Sequence, residues 1–149
     1  MQHAAFEIGK IHLLRVDIGE DVLASVERFL SESGIQQAIV LGGYGTLTNY
    51  HLHWVTHNRL PTENTFLRGE GGIEILSMNG LVVNGSPHIH VSLSTPQGAF
   101  GGHLEPGCRA YVVCEIFFAE VAGGELNRTQ AAVSIEGMGE GKVTRLTFD

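Results

Sequence analysis

Residues 87–104 constrain the fold more than any other part of the chain. They contain two stretches typical of β-strands, residues 87–93 and 99–104, on either side of the polar break Thr95-Pro96-Gln97-Gly98. Two strands joined by so short a break usually pair as an antiparallel hairpin. A sheet with neighbouring antiparallel strands is therefore the starting point for the fold.

Three histidines lie on this hairpin, at His88, His90 and His103. Because strand side chains alternate with period two, His88 and His90 project from the same face. If Ser94 lies opposite Ala99, antiparallel register places His90 opposite His103, with Cβ atoms about 5 Å apart. A register slip of one residue would move His103 to the other face. Three imidazoles on one rigid face predict a metal site with an open coordination position.

Zinc suits three neutral nitrogens best, although ligand type alone leaves nickel, copper, iron and manganese open. Carboxylates that bond to ligand histidines usually orient them, and Glu105 and Glu115 are the candidates. Hydrogen-bonded or solvent-facing histidines are the alternative reading, but a third histidine at hairpin spacing favours the metal. A water in the open position would make the site that of a metal-dependent enzyme. Its general acid is unassigned, with Glu105, Glu115 and His53 as the choices.

A second group of histidines follows a glycine-rich turn, at His51, His53 and His57. His51 and His53 share a strand face, and a solvated polar face is the favoured interpretation. The functional alternative is that one of these histidines contributes to the same site or lines its mouth. The sequence leaves their role open.

One segment has helical spacing. Asp21 is a suitable N-cap, and Gly34 is a suitable C-terminal stop. The apolar residues between them repeat at helical spacing and predict a stripe that packs on a sheet: Val22, Leu23, Val26, Phe29 and Leu30.

The rest of the chain is typical of strands and turns. A first strand over residues 10–18 is expected to point Ile11, Leu13 and Val16 inward. Asn79-Gly80 predicts a second two-residue hairpin. A loop is expected over residues 57–72, and a further loop before the last strand, residues 143–148. The remaining predicted strands are residues 37–41, 46–55, 73–78, 81–83 and 111–121.

Three glycine positions, Gly137, Gly139 and Gly141, are assigned to that last loop. Gly42-Gly43-Tyr44-Gly45 predicts a tight turn or a bulge, with phosphate binding as the weaker alternative. Many strands with one principal helix predict a single α+β domain over residues 1–149, a mainly antiparallel sheet with the helix packed on it.

Composition excludes some functions. The net charge of −7 opposes nonspecific attraction to nucleic acid, and only Arg59 with Arg68 or Lys142 with Arg145 suggest a basic patch. Cys108 and Cys114 are expected to be core residues rather than a disulfide or ligands. No apolar stretch is long enough to span a membrane, and residues 1–10 do not resemble a signal peptide, so a cytoplasmic location is expected.

Several blocks of the chain resemble the plant-and-prokaryote conserved (PPC) domain. They are IVLGGYGTL (39–47), IEILSMNG (73–80), PHIHVSL (87–93), GAFGGHL (98–104) and residues 107–116. The resemblance implies an α+β fold, assembly as a homotrimer, and His88, His90 and His103 as metal ligands. Plant relatives join this domain to a DNA-binding AT-hook, which this chain lacks. A DNA-binding or regulatory role is therefore implied only by the resemblance, direct DNA binding is doubtful, and a small-molecule ligand is a further expectation.

Overall fold

The computed structural model describes residues 1–148. Its elements follow one another as β1 (Glu7–Arg15), α1 (Val22–Ser33), β2 (Ala38–Val55), β3 (Asn64–Val83), β4 (Ser86–Thr95), β5 (Gly98–Leu104), β6 (Arg109–Ala122), β7 (Leu126–Ile135) and β8 (Gly139–Phe148). Strands dominate the described residues, and α1 is the only α-helix among them. The prediction of a mainly antiparallel sheet with one principal helix is confirmed.

Six strands form one antiparallel sheet in the order β1-β6-β2-β3-β4-β5. β5, the last strand in this order, also pairs with β2, where Leu52 lies opposite Leu104 and His53 opposite His103. Strands β2 to β5 therefore form a closed ring of four strands, which β6 and β1 extend on one side. The ring brings the far end of β2 beside the predicted histidine hairpin.

The helix forms where the sequence predicts it. Asp21 Oδ1 accepts a 3.0 Å hydrogen bond from the backbone N–H of Ala24, and Gly34 ends the helix in the left-handed region with φ 67°. Val22, Val26 and Leu30 are fully buried against the sheet. Burying one such side chain contributes roughly 1.5–3 kcal/mol, so packing rather than intrinsic propensity holds this short helix.

The core occupies the inside of the ring and the space under α1. Both cysteines belong to it: Cys108 and Cys114 are fully buried, and both are free thiols within the described chain. Burial raises the pKa of each thiol to about 11. The interpretation of both cysteines as small core residues is confirmed.

The prediction of a hairpin turn at Asn79-Gly80 is wrong, because both residues lie within β3. Gly80 instead lies so close to β4 that an added Cβ would stand 2.1 Å from the carbonyl oxygen of His88. The turn comes five residues later, where Asn84 and Gly85 both have positive φ, at 53° and 71°. Two positive φ angles match a type I′ hairpin turn.

The loop predicted over residues 57–72 is confirmed only before residue 64. β3 begins at Asn64, which pairs with Val55 of β2, so residues 64–72 form a strand. Phe66, Arg68 and Glu70 are exposed on one face of this stretch, and the half-buried Leu67 is the one large apolar residue between Thr65 and Gly69 on the other face, so the alternation gives a weak strand signal. The tetrapeptide at Gly42 lies inside β2 between two register shifts against β6, so the bulge interpretation is confirmed and the turn is not.

Ile11 and Leu13 do not point inward. They are 67% and 62% exposed, while Val16 is buried and Leu14 packs against the core. On the helix side, β1 presents His12, whose ring lies 5.7 Å from that of Phe29. The two faces of β1 are therefore exchanged relative to the prediction for Ile11 and Leu13.

The chain ends in a two-stranded arm that the sequence predicts only in part. β7 pairs with β8 from Leu126 opposite Phe148 to Ile135 opposite Gly139. β7 is missing from the predicted elements, and Gly139 and Gly141 belong to β8 rather than to a loop. Leu126 is buried against the body of the domain, and Asn127 receives a 3.3 Å side-chain hydrogen bond from Asn84.

Candidate metal centre

The register of the β4–β5 hairpin is the predicted one. Ser94 pairs with Ala99, and His90 lies directly opposite His103. The buried side chains of Ile89 and Val91 face the interior of the ring, which turns His88 and His90 to the outer face.

The three histidines meet on this outer face. His88 Nε2 lies 3.2 Å from His90 Nε2, and the ring of His103 lies 4.5 Å from that of His88 and 5.4 Å from that of His90. One nitrogen from each residue falls within 4.8 Å of the others. Three imidazoles thus converge on one small volume without any backbone movement.

His103 carries a nitrogen in need of a partner. Its Nδ1 is buried and accepts or donates no hydrogen bond within residues 1–148. A buried polar atom left unpaired costs about 1–3 kcal/mol, and an ion is one kind of partner that accounts for such an atom.

Burial favours the neutral imidazole at two of the three histidines, His103 and His88, because it lowers the pKa of each. It lowers the pKa of His103 to about 4, and the neighbouring His88 and His53 lower it further. The pKa of His88 is also lowered, first by burial and then by the positive charge of Arg128. A neutral imidazole offers the lone pair that a metal needs.

His53 joins the group from β2. It pairs with His103 across the β2–β5 contact, and the two rings lie 4.5 Å apart. Its Nδ1 lies 2.5 Å from Glu105 Oε1. An ionised carboxylate can only accept a hydrogen bond, so His53 donates one from Nδ1. In the neutral imidazole, Nε2 then carries no proton. Nitrogens or oxygens of His53, His103 and Glu105 also lie within 4.8 Å of one another.

The other histidines of the second group lie elsewhere. His51 Nδ1 is 2.8 Å from the carbonyl oxygen of Pro106, in a groove of about 400 Å³ beside Arg68. His57 lies in the β2–β3 connection, with Nε2 3.6 Å from Glu63. Of these three, His53 alone reaches the cluster.

Of the two candidate carboxylates, Glu105 lies at the histidine cluster and Glu115 does not. Glu105 follows β5 and contacts His53, whereas Glu115 lies in β6 and accepts a hydrogen bond from the Tyr44 hydroxyl. Period-two alternation finds residues on one strand face, but it does not show that β5 closes back onto β2. The sequence therefore lists Glu105 and His53 separately and does not predict that they form a pair.

A model of the Plants and Prokaryotes Conserved (PCC) domain matches residues 3–122. The chain belongs to this family. The PPC resemblance of the sequence is thereby confirmed, and the match includes all of the clustered histidines.

Solved structures of similar proteins share the fold. A plant- and prokaryote-conserved (PPC) protein from Pyrococcus horikoshii is 32% identical, with a TM-score of 0.74 over 94% of this chain and 96% of that one. A metal-containing protein from Archaeoglobus fulgidus is 29% identical, with a TM-score of 0.73 over 94% and 96%.

A curated relative is much longer. The bifunctional protein GlmU of Synechococcus sp. (strain JA-3-3Ab) is 31% identical over 112 residues, which are 74% of this chain and 17% of that protein. The chain thus spans about a sixth of the length of the curated relative it matches.

Proposed function

We propose that this PCC-domain protein binds one divalent metal ion, zinc, through His88, His90 and His103. The observation that carries the proposal is the 3.2 Å between His88 Nε2 and His90 Nε2. Nitrogens bound at about 2.0–2.1 Å to a tetrahedral ion lie about 3.3–3.4 Å apart. The pair therefore already has the spacing of two ligands of one zinc ion, with His103 beside it.

The donor set supports zinc in particular. Three neutral imidazoles and an open position form an established zinc ligand set. The low pKa of His103, about 4, keeps its imidazole unprotonated at neutral pH, as metal binding requires. The similar protein of Archaeoglobus fulgidus is described as metal-containing, which supports a metal in this family member as well.

Self-association as a homotrimer is part of the same proposal. The outer side of β1, β6 and β2 exposes apolar residues that α1 does not cover, and we call this surface the open face. It consists of the exposed Ile11, Leu13, Ile39, Leu41, Tyr44 and Val113 with the half-buried Phe117. A contiguous apolar surface is typical of a protein–protein interface, and the PPC resemblance implies further copies of this chain as its partners.

Elemental analysis of the purified protein tests the metal site. We expect close to one zinc per chain in the wild type and almost none in a His88→Ala, His90→Ala double variant. His57→Ala is the matched control, because His57 lies outside the cluster and should leave the zinc content unchanged. Equal metal content in the double variant and the wild type would reject these ligands.

A metal-dependent enzyme is the second candidate function. The His53–Glu105 pair favours it, because a carboxylate-oriented imidazole with a free Nε2 stands 4.5 Å from the ring of His103. A zinc ion bound there would lower the pKa of a coordinated water. His53 would then accept a proton at Nε2, while Glu105 holds its ring in place.

A screen of hydrolysable substrates tests that second candidate. Wild-type protein should show turnover that chelation removes and that His103→Ala abolishes. Turnover equal to that of His103→Ala for every substrate would leave metal binding as the function and exclude catalysis on that panel.

Direct DNA binding gains little support from the surface. Lys142 and Arg145 lie three residues apart on β8, so their side chains project from opposite faces. The net charge of −7 opposes the phosphate backbone. We expect mobility shifts, if any, to collapse at modest ionic strength and to show no sequence preference.

A further inference from the structure

A second set of metal-ligating side chains lies beside the first, and the two sets share His103. One nitrogen of His53, one nitrogen of His103 and one carboxylate oxygen of Glu105 all lie within 4.8 Å of one another. The ring of His103 lies 4.5 Å from the ring of His88, in the first set, and also 4.5 Å from the ring of His53, in the second. His103 is therefore placed to serve both sets.

The backbone holds the second set in place. His53 and His103 pair directly across the β2–β5 contact, and the backbone N–H of Glu105 donates a 3.1 Å hydrogen bond to the carbonyl oxygen of His51. Gly102 allows the two strands to approach, because an added Cβ there would stand 2.8 Å from the carbonyl oxygen of His53. Main-chain pairing thus brings the three side chains together.

The second set differs from the first in burial and in charge. All three of its members are half-buried, whereas His88 and His90 are exposed. Two histidines with one glutamate form an established zinc ligand set. The negative charge of Glu105 also offsets part of the repulsion between two divalent ions held close together, and partial burial strengthens this effect.

His103 lacks a partner that ligand histidines normally have. A histidine that binds a metal through one ring nitrogen almost always donates a hydrogen bond from the other nitrogen to a carboxylate, a carbonyl group or a water. If the first ion takes Nε2 of His103, the buried Nδ1 has no such protein partner within residues 1–148. His53, by contrast, has Glu105 as its partner. A second ion accounts for the unpaired nitrogen of His103.

We propose that His53, Glu105 and His103 form a second, weaker site for a divalent metal ion, and that the imidazole of His103 bridges the two ions. The inference rests on the proposed function for the first ion and adds the second. His103 gives one nitrogen to each ion and releases its remaining ring proton to the solvent, because a nitrogen must be unprotonated to bind a metal. His53 stays neutral and keeps one proton on the nitrogen that does not bind the ion.

The order of filling follows from the geometry. His53 Nδ1 and Glu105 Oε1 lie 2.5 Å apart, closer than two ligands of one zinc ion, so the second ion costs the hydrogen bond between them. The first set has no such bond to a carboxylate to lose. An ion on His53 also excludes the proton-accepting role that the second candidate function gives to this residue.

Calorimetric titration of metal-free protein with zinc tests the proposal. We expect the wild type to bind two zinc ions per chain in two steps, the weaker of which does not survive purification. His53→Ala and Glu105→Gln should each weaken the second step at least about tenfold and leave the first within about threefold. The His88→Ala, His90→Ala double variant should lose only the first step, and His103→Ala should lose both.

The matched controls are His57→Ala and Glu63→Gln. These two residues form the same kind of pair outside the cluster, with His57 Nε2 3.6 Å from Glu63, so both variants should retain both steps. Melting temperature is measured on every variant to identify one that misfolds. Glu105→Gln keeps the size of the side chain, so it tests the site even where His53→Ala does not fold.

The possible results separate the second site from the first. A wild type that binds a single ion, lost in the double variant, overturns the inference and leaves the proposed function intact, and so does a second step that His53→Ala and Glu105→Gln do not change. A single ion that every cluster substitution weakens means one ion shared by all five residues, which also overturns the second site. A second step that survives His103→Ala overturns the bridge.

The proposed function can also fail alone. A single ion that the double variant retains and that Glu105→Gln loses overturns the first site and supports the second. A protein that binds no zinc overturns both.

Discussion

His53 Nδ1 and Glu105 Oε1 lie 2.5 Å apart, with both side chains only about a fifth exposed, at 20% and 22%. The two residues are distant in sequence and meet because β5 closes onto β2 just before Glu105. The contact fixes the protonated nitrogen of His53 and turns a strand-surface histidine into an oriented neighbour of His103.

Replacing Glu105 by glutamine should lower the free energy of unfolding by about 1 kcal/mol, because a charge-assisted hydrogen bond becomes a neutral one. Urea unfolding of metal-free protein measures the change. Glu63→Gln is the matched control: Glu63 faces His57 at 3.6 Å and its side chain is 72% exposed, so its loss should cost little. Equal effects of the two substitutions would show that the Glu105 contact stabilises the fold no more than the exposed Glu63 contact does.

The three-histidine cluster could be predicted from the sequence because it depends on a single local hairpin. A short break and period-two alternation are enough to place His90 opposite His103. His53 reaches the same place through the β2–β5 closure, a long-range pairing that leaves no periodic signal. A spacing argument therefore predicts the local part of the site and offers the contribution of β2 only as an alternative, without choosing among His51, His53 and His57.

The exchanged faces of β1 have a physical cause. Ile11 and Leu13 are as apolar as residues that face a core, whereas the helix side of this part of the strand carries His12. Hydrophobicity reports that a face avoids water, but it does not distinguish a face covered by its own chain from one covered by a partner. The exposed apolar side of β1 is thus a surface that the proposed self-association through the open face would cover.

Charging the open face should therefore dissociate the proposed trimer. We expect an Ile11→Lys, Leu13→Lys double variant to elute as a monomer in size-exclusion chromatography with light scattering, while its circular dichroism stays that of the wild type. Both side chains are more than 60% exposed in the single chain, so the monomer loses little packing. The control Ile135→Lys, on the arm at 44% exposure, should remain trimeric. A double variant that stays trimeric would place the interface elsewhere.

The buried cysteines predict a loss of stability in alkali. Burial raises the pKa of Cys108 and of Cys114 from 9 to about 11, so the folded state holds protons that the unfolded state releases. The contribution is complete below pH 9 and is lost as the pH rises to about 11. Each thiol accounts for roughly 2 kcal/mol over that interval.

Urea unfolding at pH 8, 9, 10 and 11 measures this effect against a Cys108→Ala, Cys114→Ala double variant. The variant is expected to start from a lower stability, because it leaves small cavities, but to lose less between pH 9 and pH 11. Parallel curves for the two proteins would show that other groups cause the alkaline loss.

Asn79-Gly80 looks like a turn for a reason that the structure makes clear. The dipeptide Asn-Gly is the strongest short hairpin signal. At position 80, however, glycine is required because the backbone of the neighbouring strand lies too close for a Cβ, and not because the chain turns there. The true turn at Asn84-Gly85 carries the same dipeptide five residues later. Two equal local signals compete, and the pairing of β3 with β4 decides between them.

Gly80→Ala should therefore destabilise the protein by roughly 1–3 kcal/mol, as overpacking does in a tight site, because its Cβ would stand 2.1 Å from the His88 carbonyl oxygen. The strand that carries His88 must move to make room, so zinc affinity should fall together with stability. Gly42→Ala is the control, since a Cβ there meets no atom within 4 Å in the described chain. Urea unfolding and competition with a zinc-binding dye measure the two effects. A Gly80→Ala protein as stable as Gly42→Ala and with wild-type zinc affinity would contradict the close contact between β3 and the backbone of His88.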